Sequence, residues 1–218
     1  MEINNLIDST KLGFTVTTED IKTLCAEAKQ YHFASVCVPP CYVEYAVQEL
    51  KESSIAVCTV VGFPFGNNTS EVKAYEAENA IAMGADEIDM VMNIGALKEQ
   101  SYDYVKEDIE EVRDACKGKT LKVIIETSVL TEEEIRKATD ICNETYVHFI
   151  KTSTGFGNRG ASTEDIEIIN EEKSDILEIK ASGGIKSLKQ VVDFMDMGVT
   201  RIGTSSGVEI MKEMDGEN

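Results

Sequence analysis

The stretch VHFIKTSTGFG, residues 147–157, decides how the rest of the chain is read. An apolar, β-branched run leads into a lysine, then into hydroxyl residues and two glycines. A lysine that serves only solvation belongs on an exposed face. A lysine that ends a buried strand beside a glycine loop belongs to chemistry or to an ion pair, because cores expel unpaired charge.

Outward from this run the same unit recurs along the chain. Eight apolar runs are read: NLIDST (5–10), ASVCV (34–38), IAVCTVVGF (55–63), EIDMVMN (87–93), LKVIIET (121–127), VHFIKTS (147–153), ILEIKAS (176–182) and TRIGTS (200–205). Most are rich in Val, Ile and Thr, and several are apolar on both faces, as strands of a covered parallel sheet are. Helix signals fill the gaps. In TEDIKTLCAEA, Thr18 is the expected N-cap, and Ile21, Leu24, Cys25 and Ala28 share one face. Pro40 opens a segment carrying Val43, Val47 and Leu50. Val105, Ile109, Val112 and Cys116 make another apolar stripe, closed by Gly118. Thr131 with Glu134, and Ser187 with Gln190, have capping-box spacing. Gly84 and Gly198 read as helix stops.

Strands alternating with helices in this way predict an α/β fold, a (β/α)8 TIM barrel, as one domain over residues 1–218. An open doubly wound sheet is the competitor, but no GxGxxG follows the first strand and there is no P-loop. The polar tail MKEMDGEN is expected to fray.

Composition narrows the function. The net charge is -19, from 40 acidic and 21 basic residues, so a nucleic acid partner is not expected. No charged-then-apolar leader or long apolar run suggests a signal peptide or a membrane partner. The six cysteines, Cys25, Cys37, Cys41, Cys58, Cys116 and Cys142, form no CxxC pair and read as buried, reduced thiols of a cytoplasmic protein. With only His32 and His148 as imidazoles, and the thiols scattered, no metal site is expected. His32 suits a helix C-terminus; His148 reads as a satisfied strand residue, and Cys37 and Cys58 as core.

In a barrel, the C-terminal ends of the strands converge on one mouth. The expected ends carry Asp8, Asp89, Glu126, Lys151, Lys180, Ser205 and Ser206, each within apolar surroundings. One such charge reads as a structural ion pair, whereas several at the same end of successive strands point to catalysis. Lys151 and Lys180 fall on neighbouring strands, which lie about 4.8 Å apart. Like charge and burial both disfavour protonation, so one of the two lysines is expected as a neutral amine able to attack a carbonyl. The other relays protons, and Asp89 stabilises that cation or exchanges its proton. Together these suggest Schiff-base chemistry. Gly155 and Gly157, Gly183 and Gly184, and the run Gly203 to Gly207 cluster in one quadrant of the mouth. With Thr154, Ser205 and Ser206 they suit a phosphate held by loop amides, hydroxyls and a helix N-terminus. Asp8 and Gly203 are assigned to the same substrate and phosphate region. Arg159 reads as a loop arginine, with an alternative role reaching back to the phosphate.

LIDST, ASVCV, VVGFPFGNNTSEVKAYEA, GADEIDMVMNIGAL, LKVIIETSVLT, FIKTSTGFG, IKASGGI and RIGTSSG occur in the order found in one family. Over about Leu6 to Gly207 the chain closely resembles the deoxyribose-phosphate aldolases, class I aldolases with a (β/α)8 barrel. The resemblance implies reversible cleavage of 2-deoxy-D-ribose 5-phosphate to acetaldehyde and D-glyceraldehyde 3-phosphate without a metal or organic cofactor. It makes Lys151 of KTSTG the Schiff-base nucleophile, Lys180 of KASGG the perturbing and proton-relaying lysine, and Asp89 the carboxylate of the relay. It also implies a homodimer. A barrel that only binds a sugar phosphate is the alternative, and the intact trio argues against it. Three departures stand out: Ser9 where the family pattern has a histidine, Phe156 where some members carry a lysine, and a tail without a terminal tyrosine.

Overall fold

The computed structural model describes residues 3–216. Eight parallel strands close into a barrel in sequence order: β1 (Ile7–Thr10), β2 (Ser35–Val38), β3 (Ala56–Val61), β4 (Glu87–Val91), β5 (Thr120–Ile124), β6 (Phe149–Lys151), β7 (Glu178–Ser182) and β8 (Arg201–Thr204). All eight expected runs are strands, each trimmed by a few residues at its ends. The outer layer is α1 (Thr18–Tyr31), α2 (Val43–Glu49), α3 (Ser70–Ala82), α4 (Ile94–Lys98), α5 (Tyr102–Ala115), α6 (Glu132–Glu144), α7 (Thr163–Glu172), α8 (Leu188–Asp196) and α9 (Gly207–Asp215).

Local chemistry starts and stops these helices. Thr131 accepts from the Glu134 amide while the Glu134 side chain accepts from Thr131, so the expected capping box forms at α6. Ser162 and Asp165 build the same device at α7. At α1 the cap is Thr17, not Thr18: the Thr17 hydroxyl accepts from Asp20, three residues on, and Thr18 is already helical. At α8 Ser187 caps the Gln190 amide, but the Gln190 side chain accepts from Lys186 instead of closing the box. Gly84 and Gly198 end their helices at φ +102° and +87°, which a side chain rarely adopts. The tail departs from expectation: Met211 to Asp215 continue α9, because Ile210 and Met211 are buried beneath it. Its last two residues lie outside the described region.

The main core lies between strands and helices. Ile88, Leu121, Val123, Ile150, Ile179 and Ile202 from the strands and Ile21, Ile109, Ile135, Ile166 and Val191 from the helices are buried together. Each such side chain contributes about 1.5–3 kcal/mol of burial free energy. Because side chains alternate along a strand, the residues between these apolar ones face the barrel axis. There the interior is not apolar. Register sets Asp89 beside Lys122, Lys151 beside Lys180, and Lys180 beside Arg201.

Candidate active site

The axial charges form one connected network. Asp89 sits at its centre: its Oδ2 accepts from Lys151 Nζ at 2.8 Å and from Lys180 Nζ at 2.7 Å. Its Oδ1 accepts from Lys122 Nζ at 2.8 Å and from Cys58 Sγ at 3.2 Å. Lys180 reaches Asp8 at 2.5 Å on its other side, and Arg201 bridges Asp8 at 2.7 Å and Glu87 at 3.1 Å. Lys122 also pairs with Glu87. The network thus joins four cations, Lys122, Lys151, Lys180 and Arg201, to three carboxylates, Asp8, Glu87 and Asp89.

Burial raises the cost of every charge here, and attraction decides the outcome. For Asp89, burial pushes the carboxyl upward, but Lys122, Lys151 and Lys180 override it and hold the group well below the ordinary carboxylate range. Asp8 behaves alike under Lys180, Lys122 and Arg201. Burial works against the charge on Lys180, yet Asp8 and Asp89 lift its pKa well above that of a free lysine. Lys122 is lifted the same way, led by Asp89. These two lysines are proton holders in the free protein.

Lys151 is the last residue of β6, and its side chain reaches the floor of a pocket of about 180 Å³ at the C-terminal mouth. Lys180, two residues short of the end of β7 and fully buried, does not line that pocket. The walls are Thr10, Leu12, Thr154, Gly155, Phe156, Ser182, Gly183, Gly184, Ile185, Lys186, Gly203, Thr204 and Ser205. Gly155, Gly183 and Gly184 hold φ of +86°, +84° and +70°, so their amides take directions closed to other residues. Among the described residues those three amides have no acceptor. Gly203 is glycine for a different reason: a Cβ there would lie 3.0 Å from Lys180 Cε, so its absence gives that lysine its path. Ser206 stands just outside the pocket lining, where it is the N-cap residue of α9, and its own amide donates to Thr204. The N-terminus of α9 adds partial positive charge at this side of the mouth.

The structure redistributes several expected roles. Asp8 belongs to the buried network and does not line the pocket, because Ser35, Arg201 and Lys180 hold it within the barrel. Thr154 lines the pocket, but its hydroxyl and amide both donate to Glu126, so it anchors the loop after Lys151. Glu126, at φ +51°, is thereby a clamp on that loop rather than part of the lysine network. Arg159 is not a free loop residue: it makes a two-pronged pair with Asp165 at 2.5 and 2.8 Å, beside the start of α7. Ser9 alternates away from the axis and faces a separate cavity with Thr17, Thr23 and Lys212. The departure there lies behind β1, not at the lysines. Leu121 donates its amide to His148, which is satisfied as expected. All six cysteines are free, and Cys41 alone is exposed.

Four charged residues of the site were not anticipated. Lys122, Glu87 and Arg201 carry the signal that revealed Asp89, a charge within an apolar run, but they sit nearer the strand starts, away from the C-terminal ends. Lys186 follows Gly183-Gly184-Ile185 in a loop and gave no signal; the fold turns it onto the pocket wall.

Comparison with known proteins bears on this geometry directly. Residues 4–213 match the DeoC/LacD family of aldolases. A deoxyribose-phosphate aldolase of Staphylococcus carnosus is 49% identical over all of this chain and 99% of its own. One of Enterococcus faecalis is 50% identical, again over 100% and 99%. Among solved structures, a deoxyribose phosphate aldolase from Aeropyrum pernix, described as tetrameric, superposes with a TM-score of 0.90 at 28% identity, covering 98% of this chain and 91% of that one.

Proposed function

The chain belongs to the DeoC/LacD family of aldolases, and from that premise we propose how it cleaves 2-deoxy-D-ribose 5-phosphate to acetaldehyde and D-glyceraldehyde 3-phosphate. One observation carries the assignment of roles: two lysine amines share Asp89 Oδ2, and of those two only Lys151 lines the pocket.

Lys151 is the nucleophile. The network sets Lys122, Lys180 and Arg201 against Asp8, Glu87 and Asp89, and Lys151 is the further amine, the one that opens onto the pocket. Its amine attacks C1 of the open-chain aldehyde, forming the C–N bond as the carbonyl oxygen takes a proton, and loss of water yields an iminium. The cationic nitrogen then accepts the electron pair of the C2–C3 bond as that bond breaks and the C3 hydroxyl gives up its proton. D-Glyceraldehyde 3-phosphate leaves, and an enamine stays on Lys151. Protonation at C2 and hydrolysis of the resulting iminium release acetaldehyde and restore the amine.

Lys180 and Asp89 carry the protons. Lys180 holds its proton firmly between Asp8 and Asp89, and Asp89 lies 2.8 Å from Lys151 Nζ, within reach of each transfer. The substrate phosphate sits against the Gly155, Gly183 and Gly184 amides, with Lys186, Ser205 and the start of α9 as further support. Local donors are needed there, because the overall charge of -19 opposes an anionic substrate. Thr154 and Gly203 shape the pocket, and Ser206 contributes as the N-cap residue. No metal or organic cofactor takes part in this reading. A homodimer in the cytoplasm is the proposed setting; among the described residues no helix is long and apolar enough to cross a membrane. Light scattering of the purified protein tests the assembly.

Borohydride reduction in the presence of substrate tests the chemistry. A covalent two-carbon adduct mapped to Lys151 is expected. An adduct on Lys180 would reverse the two roles, and no adduct would overturn imine chemistry.

A further inference from the structure

Two cysteines expected as inert core residues meet at the centre of the site. Register pairs Cys37 of β2 with Cys58 of β3, and both side chains face the axis. The two Sγ atoms and a carboxylate oxygen of Asp89 lie within 4.8 Å of one another. Cys58 already donates to Asp89 Oδ1 at 3.2 Å. We propose that Cys37, Cys58 and Asp89 form a binding site for a thiophilic divalent cation of the zinc and cadmium type, and that its occupation arrests the enzyme by taking Asp89 from the lysines.

The donor set selects the ion. Two sulfurs and one carboxylate oxygen suit Zn²⁺ or Cd²⁺ and not Mg²⁺ or Ca²⁺, which require oxygen. Zinc–sulfur bonds of about 2.3 Å and zinc–oxygen bonds of about 2.0–2.2 Å place tetrahedral ligands roughly 3.5 Å apart. Cys58 Sγ and Asp89 Oδ1, at 3.2 Å, already stand at about that separation, and Cys37 Sγ lies within 4.8 Å of both residues' ligand atoms. A disulfide fits this pair less well. Paired parallel strands stand about 4.8 Å apart, whereas a disulfide draws its Cβ atoms to about 3.8 Å. An ion between the sulfurs bridges the gap with less backbone movement.

Charge is conserved in the exchange. The two thiols release their protons to solvent as the divalent ion enters, so the buried network gains no net charge. Lys122 opposes the ion, at 3.4 Å from Cys58 Sγ and 2.8 Å from Asp89 Oδ1, and must give up both contacts. The site is accordingly weaker than a dedicated structural zinc site. An apolar cleft of about 350 Å³ lies nearby. Its walls include Val60, Leu12 and Phe63, which belong to or pack against the same small apolar cluster as the two cysteines.

The test uses the full chain in a Cys41→Ser background, which removes the one exposed thiol. Cadmium is titrated under a non-thiol reductant while the ultraviolet sulfur-to-cadmium charge-transfer band is recorded. The band is expected to saturate at one equivalent with the intensity of two thiolates. Cleavage activity should fall in parallel and return on chelation. Cys37→Ser and, separately, Cys58→Ser should each weaken binding and inhibition by at least about tenfold. No saturable band, or inhibition that both variants leave unchanged, overturns the proposal. The inhibition arm rests on the aldolase reading and the optical arm does not. Cleavage by the metal-free protein tests the aldolase reading alone, so the two failures are distinguishable.

Discussion

Among the described residues two places bury lysines against carboxylates, and they do so in opposite ways. Between α3 and α5, Lys73 and Asp108 form a closed pair at 2.6 Å, both fully buried, with Lys73 also donating to the Val91 carbonyl. On the barrel axis, four cations share three carboxylates, and one of the lysines opens onto a pocket. In the closed pair burial wins on both sides: it lowers the pKa of Lys73 and raises that of Asp108 despite their mutual attraction. On the axis attraction wins, and Asp8, Asp89, Lys122 and Lys180 are all held more firmly in their charged forms. One partner cannot repay the desolvation of a buried ion, whereas several converging partners can. A buried lysine is therefore not a catalytic signal by itself. An odd cation in a shared network, facing space, is one.

The largest effect separating the two regions should come from Lys151→Arg. It puts a permanently charged guanidinium in place of the usable amine, so cleavage should fall to background. A variant that retains measurable imine trapping at that position would break the distinction. Asp89→Asn should follow, lowering kcat by about 10²–10⁴ with a much smaller change in KM, since proton transfer and not uniform binding is lost. A pure KM effect would move Asp89 from the relay to substrate binding.

Lys73→Met tests the other cluster. Asp108 would be left as an uncompensated buried charge, costing about 3–5 kcal/mol in denaturant unfolding, with kcat of the remaining folded enzyme unchanged. A Lys73→Met, Asp108→Leu pair should recover most of that loss. Failure to recover would mean the closed pair also contributes specific packing.

Smaller effects should sharpen the pocket. Lys186→Ala should reduce kcat/KM by roughly tenfold, consistent with one charge-assisted contact, for the phosphorylated sugar and not for 2-deoxyribose. Ser206→Asp should discriminate in the same direction. Equal losses on both sugars would place the phosphate elsewhere. The smallest readout is the titration of two carboxyls by NMR. Asp108 should titrate above the usual value of about 3.9 and Asp8 below it. With its folded pKa raised, Asp108 favours the native state at low pH, and that contribution is lost as pH rises through the folded value. With its folded pKa depressed, Asp8 stabilises above the unfolded value and loses this as pH falls through the folded one.

Some of this was legible along the chain. Strand runs and capping boxes are local, so β1 to β8 and the start of α6 follow from neighbouring residues alone. Lys151, Lys180 and Asp89 stood out because an apolar strand tolerates no idle charge. The same rule applies to Lys122, Glu87 and Arg201, which lie nearer the strand starts than the C-terminal ends. Arg159 was not legible: its role depends on Asp165, and only the loop between them decides whether they meet.

The sequence by itself therefore determined the barrel's elements, the class of chemistry and the presence of paired lysines, since each rests on periodicity or on a residue type out of place. Tertiary structure alone decided which lysine meets the pocket, that Asp8 lies beneath it and Lys186 beside it, and that Cys37 faces Cys58 beside Asp89. The physical reason is register. Parallel strands are joined through helices, so no turn sets their relative shift. Closing eight of them into one barrel fixes every shift together, and with it which side chains share the axis.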